Sequence, residues 1–135
     1  MSLMAIDYGG RRIGVAVSDS GVVATPHSVV SNDGDVVETL ARLARELDAD
    51  TIVVGLPRRA HAGPSERKFR DLADRLRQTT CKEVVLWDET LSTAEAAAQL
   101  RDRGVGRREA QRDIDMHAAT VILQSYIDAR AGRPS

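Results

Sequence analysis

The stretch MAIDYGGRRIGVAVSD, residues 4–19, decides how the rest of the chain is read. An apolar run from Leu3 ends on an acid, Asp7. A turn, Tyr8-Gly9-Gly10-Arg11-Arg12, leads into a second apolar run from Ile13 to Ser18. Two such runs around a short glycine turn predict an antiparallel hairpin. Val22 and Val23 then predict a third strand after the turn Asp19-Ser20-Gly21, limited by Pro26, which has no N–H for a strand ladder. These three strands read as an antiparallel meander.

Beyond Pro26 the period changes. Val36, Leu40, Leu43, Ala44 and Leu47 recur at helical spacing, with Ser31, Asn32 and Asp33 as candidate N-caps. Thr51–Val54 predicts a short buried strand ending at Gly55. Phe69, Leu72, Ala73 and Leu76 mark a second amphipathic helix. Val84–Trp87 predicts another buried strand, followed by Asp88 and Glu89. Ser92-Thr93-Ala94-Glu95 is a capping-box pattern opening a helix to about Arg103. After the loop Gly104–Arg108, a last helix carries Ile114, Ala118, Val121, Ile122 and Tyr126 on one face. The order βββαβαβαα calls for a mixed α/β sheet whose later strands are parallel and covered by helices.

The chain has 135 residues, of which 42% are hydrophobic. That suffices for one domain, residues 1–135, with a core that needs no disulfide or metal. Cys81 is the only cysteine, which suits a reducing, cytoplasmic setting. No apolar run approaches the roughly 20 residues of a membrane span, so no membrane partner is expected. Net charge is −1, which argues against binding nucleic acid by bulk charge. Of the 19 basic residues only Lys68 and Lys82 are lysines, and the other 17 are arginines. Arginine grips phosphate with a two-pronged fork, although an arginine-rich coding bias would give the same count. Aromatic residues make up 3%, too few for a base-stacking face.

The acids fall where chemistry could use them. Asp7 ends the first strand, and Asp88 and Glu89 end the last; ligands of open α/β sheets bind beyond such ends. Strand alternation sends Asp88 and Glu89 to opposite sides, so one of the two faces Asp7. Asp115 precedes Ala119 by four residues and Ile122 by seven, on the sheet-facing stripe of the last helix, whereas Asp113 and His117 face elsewhere. Converging carboxylates repel unless a cation lies among them. Mg²⁺ or Mn²⁺, hard ions that take oxygen ligands, would satisfy all three and serve an in-line phosphoryl displacement. Taken singly, each acid has an ordinary explanation as a turn cap, a loop residue or a helix N-terminal acid.

The basic residues divide similarly. Arg11 and Arg12 adjoin Asp7, and Arg58 and Arg59 follow the central strand, so all four are candidates for positioning phosphates. Arg101, Arg103, Arg107, Arg108 and Arg112 form a second cluster. The glycines fit neither a dinucleotide fingerprint nor a phosphate loop, since Val15 stands where the loop lysine would be. His27, His61 and His117 lack metal-ligand spacing, and no serine nucleophile motif is present.

Four motifs together resemble the YqgF/RuvX family of ribonuclease H-like proteins: IDYGGRRIGVAVSD at 6–19, GLPRRAHAG at 55–63, WDETLSTAEA at 87–96 and DIDMHAATVILQSY at 113–126. The resemblance implies a five-stranded mixed sheet of ribonuclease H type, its first three strands antiparallel, with helices on both faces. It implies a metal-dependent endonuclease acting on ribosomal RNA precursor, on branched DNA such as Holliday junctions, or on both. The family's acids carry over onto Asp7, the Asp88–Glu89 pair, with Glu89 preferred as ligand, and Asp115. Two positions depart: Thr90 stands where the family usually has arginine, and Arg11 where it often has lysine. A resolvase cutting two strands symmetrically would act as a homodimer. The rival reading is a non-catalytic nucleic-acid-binding or ribosome-assembly factor on the same fold. A sugar-kinase-like ATPase, which needs two such domains around its nucleotide, does not fit 135 residues.

Overall fold

The computed structural model describes residues 2–57, 64–89 and 107–131. Five strands form one sheet: β1 (Leu3–Tyr8), β2 (Arg12–Ser18), β3 (Thr25–Ser31), β4 (Thr51–Pro57) and β5 (Glu83–Glu89). Their spatial order is β3-β2-β1-β4-β5, antiparallel among the first three and parallel from β1 through β4 to β5. The helices are α1 (Val36–Glu46), α2 (Pro64–Thr80) and α3 (Arg107–Arg130).

Each face of the sheet has its own apolar layer, because side chains alternate along the strands. Met4, Ile6, Ile13, Val15, Ile52 and Val54 pack under Leu40 and Ala44 of α1 and Leu72, Ala73 and Leu76 of α2. Leu3, Ala5, Ala16 and Val53 pack on the other face under Ala119, Ile122, Leu123, Tyr126 and Ile127 of α3. Trp87 joins this second layer, its ring edge-on to Tyr126 with centroids 5.4 Å apart and its Nε1 donating to Ser125 Oγ at 3.2 Å. No helix among the described residues is long and apolar enough to cross a membrane.

The third strand differs from expectation. Val22 and Val23 lie in a bend, 50% and 58% exposed, and the strand begins at Thr25 with Pro26 inside it. A polar clamp decides this. Ser20 Oγ accepts from the amides of Val22 and Val23, while Gln124 of α3 accepts from Ala24 N–H at 2.9 Å and donates to Val22 O at 3.1 Å. Pro26 is tolerated because β3 is an edge strand and its partner position, Ala16, follows a register shift.

The cap of α1 also differs. Asp35, not residues 31–33, accepts from Glu38 N at 3.1 Å. Asn32 instead ties down the β1–β2 turn, its Nδ2 donating to Gly9 O at 2.6 Å and its backbone N–H to Arg11 O at 2.9 Å. Arg107 and Arg108, expected in a loop, are the first residues of α3. The helix expected over 92–103 lies outside the described residues.

Candidate metal centre at the strand ends

Two glycines bring α3 down onto the sheet beside Asp7. Gly14 of β2 pairs directly with Asp7 of β1. A Cβ at Gly14 would collide with the backbone carbonyl of Asp115, so the helix rests on the bare strand at that point. On the other side of Asp7, β1 and β4 run in register through Ile6 and Val54, which puts Gly55 beside Asp7. A Cβ there would meet the side chain of Ile122, two turns along α3 from Asp115. Asp7 therefore has a glycine on each flank, and the backbone of Asp115 lies about one strand spacing away, ~5 Å.

Strand parity sorts the two acids of β5. Asp88 follows Val84 and Leu86, which belong to the α1–α2 layer, and it is exposed on that side. Position 89 has the parity of Val85 and Trp87, which belong to the α3 layer, as Asp7 does with Leu3 and Ala5. The register thus separates Asp88 from Asp7 and leaves Glu89 as the β5 position on the same side.

Asp115 is held from the sheet. Arg12 Nε lies 2.9 Å from Asp115 Oδ2, with the carboxylate side chain 13% exposed and the arginine 44%. Arg12 shares the parity of Gly14, so it projects from β2 on the α3 side. Its root is fixed, since Gly9 N–H donates to Arg12 O at 3.0 Å and Asn32 braces the turn. Arg11, at the tip of that turn, is exposed. Arg58 and Arg59 lie outside the described residues, as does Thr90.

Among the described residues no three acidic, histidine or cysteine side chains gather closely enough to hold an ion. Asp7 and Asp115 are brought together, Asp88 is placed on the other face, and the Glu89 side chain lies beyond what is described. The residues that the backbone brings to this edge, Asp7 and Asp115, carry carboxylates, the chemistry that a hard divalent cation takes. His117 is exposed, as its place off the packing stripe implied. Gly14, Gly55 and Asn32 are the positioning residues that periodicity did not single out; a glycine inside a β-branched strand was the available signal.

The pattern of the RuvX family, described as Holliday junction resolvase, matches residues 1–129. A protein of Halothermothrix orenii, named a candidate pre-16S rRNA nuclease, is 37% identical over 133 residues, covering 95% of each chain. Among solved structures, T. thermophilus RuvC in complex with Holliday junction substrate aligns with a TM-score of 0.61 at 18% identity, over 98% of this chain and 96% of that one. The fowlpox virus Holliday junction resolvase aligns with a TM-score of 0.63 at 13% identity, over 96% and 99%. These two likenesses speak to the fold: the five-stranded mixed sheet is of the resolvase, ribonuclease H-like type.

Proposed function

This chain belongs to the RuvX family and is a nuclease hydrolysing phosphodiester bonds, and from that premise we propose that Asp7, Glu89 and Asp115 hold its divalent cation. The observation that carries the proposal is the seating of Asp115 on Gly14, directly opposite Asp7. With only carboxylate oxygens to offer, the centre suits Mg²⁺ or Mn²⁺ rather than a softer metal. When bound, the cation supplies charge for the attacking water and the departing oxygen of an in-line displacement. Asp7 is the central ligand, flanked by glycines whose missing side chains let α3 pack close beside it. Arg11 and Arg12 on the hairpin, with Arg58 and Arg59 after β4, hold the phosphates on either side of the scissile bond. Asp88, on the opposite face, takes no part in holding the ion.

The substrate class is nucleic acid: ribosomal RNA precursor, four-way DNA junctions, or both. On a junction the protein works as a homodimer, because two symmetry-related cuts need two centres. The whole chain acts as one cytoplasmic domain, with Cys81 a free and exposed thiol.

The test compares the wild type with Asp7→Asn on pre-16S RNA and on four-way junctions, in Mg²⁺, Mn²⁺ or EDTA. Cleavage by the wild type in either metal, lost in EDTA and in the variant, is expected. Binding without cleavage by both proteins would favour the non-catalytic assembly factor instead.

A further inference from the structure

Arg12 stands between two duties. Its Nε is spent on Asp115, while its terminal amino groups make no hydrogen bond to the described residues. Asp115 is the carboxylate that α3 delivers to the centre, and it is largely shielded, so an uncompensated charge there would be costly. The guanidinium contributes to that compensation from a half-exposed position, rooted in a turn pinned by Gly9 and Asn32. A long side chain on a fixed root can change partner without the backbone moving.

We propose that Arg12 is an exchangeable counter-ion: it occupies Asp115 until a divalent cation takes that carboxylate, and then turns its fork onto a substrate phosphate. The inference rests on the reading that Asp115 is a metal ligand. It links two events that would otherwise be independent, since metal binding releases the group that grips the substrate. By linkage, metal and nucleic acid then each raise the other's affinity. It also makes Arg12 a competitor of the metal while no substrate is present.

The competition predicts effects of opposite sign from one substitution. In Mn²⁺ titrations without nucleic acid, followed by the electron paramagnetic resonance of the free ion, Arg12→Gln is expected to bind Mn²⁺ about two- to fivefold more tightly than the wild type. That range is the worth of a partly exposed ion pair. Arg12→Lys keeps a competing cation and should stay near the wild type. Arg11→Gln removes a neighbouring charge that does not touch Asp115 and should give less than half the gain. With Mn²⁺ present, an uncleaved oligonucleotide carrying a phosphorothioate at the scissile position should bind Arg12→Gln more weakly than the wild type. Mn²⁺ affinity that is unchanged or lower in Arg12→Gln overturns the exchange while leaving the metal centre standing. A gain that is equal in Arg11→Gln overturns it too, because it would be bulk charge alone. Absence of saturable Mn²⁺ binding in the wild type, matched by Asp7→Asn, overturns both the exchange and the metal reading beneath it.

Discussion

Replacing Gly14 or Gly55 with alanine inserts the same methyl group under the same helix, yet the costs should differ. At Gly14 the obstacle is the carbonyl of Asp115, which belongs to a helix backbone and cannot rotate away. At Gly55 it is the end of the Ile122 side chain, which can adopt another rotamer. Gly14→Ala should therefore lower unfolding free energy by about 2–3 kcal/mol, and Gly55→Ala by about 1 kcal/mol or less, in urea titrations. Gly14→Ala should also weaken Mn²⁺ binding more, since it lifts Asp115 away from Asp7. Equal losses would mean that α3 does not bear on the strand at Gly14. The placement of the two acids was legible in the sequence: Asp7 by its strand end, Asp115 by its place four and seven residues ahead of Ala119 and Ile122. Gly14 was not, because a glycine is mute about what approaches it. Only the crossing of α3 over β2 gives the missing Cβ its meaning.

Between elements, Asp35 and Asn32 offer a matched comparison. Both make one side-chain hydrogen bond in the segment joining β3 to α1. Asp35→Ala removes an N-cap and should cost about 1 kcal/mol. Asn32→Ala removes the bond to Gly9 O and should cost a similar amount, about 0.5–1.5 kcal/mol. Only Asn32 braces the hairpin that carries Arg11 and Arg12, so only Asn32→Ala should raise KM for cleavage, with Asp35→Ala at the wild-type value. A matched rise in both would place the effect in general loosening. The same segment shows why some elements were hidden. Ser31, Asn32, Asp33 and Asp35 are all competent caps, and sequence offers no means of choosing among them. The strand β3 has no buried stripe, its first three residues being exposed, so it lacks the continuous apolar run that revealed β1, β2, β4 and β5. The parity of Asp88 and Glu89 was visible as an either-or. The register of β5 against β4, and of β4 against β1, turned it into a placement.

At the scale of the whole molecule, a net charge of −1 must be reconciled with a polyanionic substrate. Surface ion pairs absorb part of the arginine complement: Arg45 pairs with Glu38, Arg70 with Glu66 and Arg77 with Asp74. Binding must then come from a few cations gathered at one edge rather than from the overall field. Under the proposed function four supply it: Arg11, Arg12, Arg58 and Arg59. Each neutralised phosphate contributes roughly −0.9 to the slope of log K against log salt on duplex DNA, and roughly −0.7 on single strands. The Asp7→Asn variant, in which Arg12 stays on Asp115, should therefore show the slope of the other three, about −2 to −3, measured by fluorescence anisotropy on a short oligonucleotide. Arg11→Gln and Arg58→Gln should each reduce it by about 1. A slope twice as steep, or one indifferent to both substitutions, would move the contact surface to the second arginine cluster, Arg101 to Arg112. The hairpin would then keep its metal ligand and lose its role in gripping the substrate.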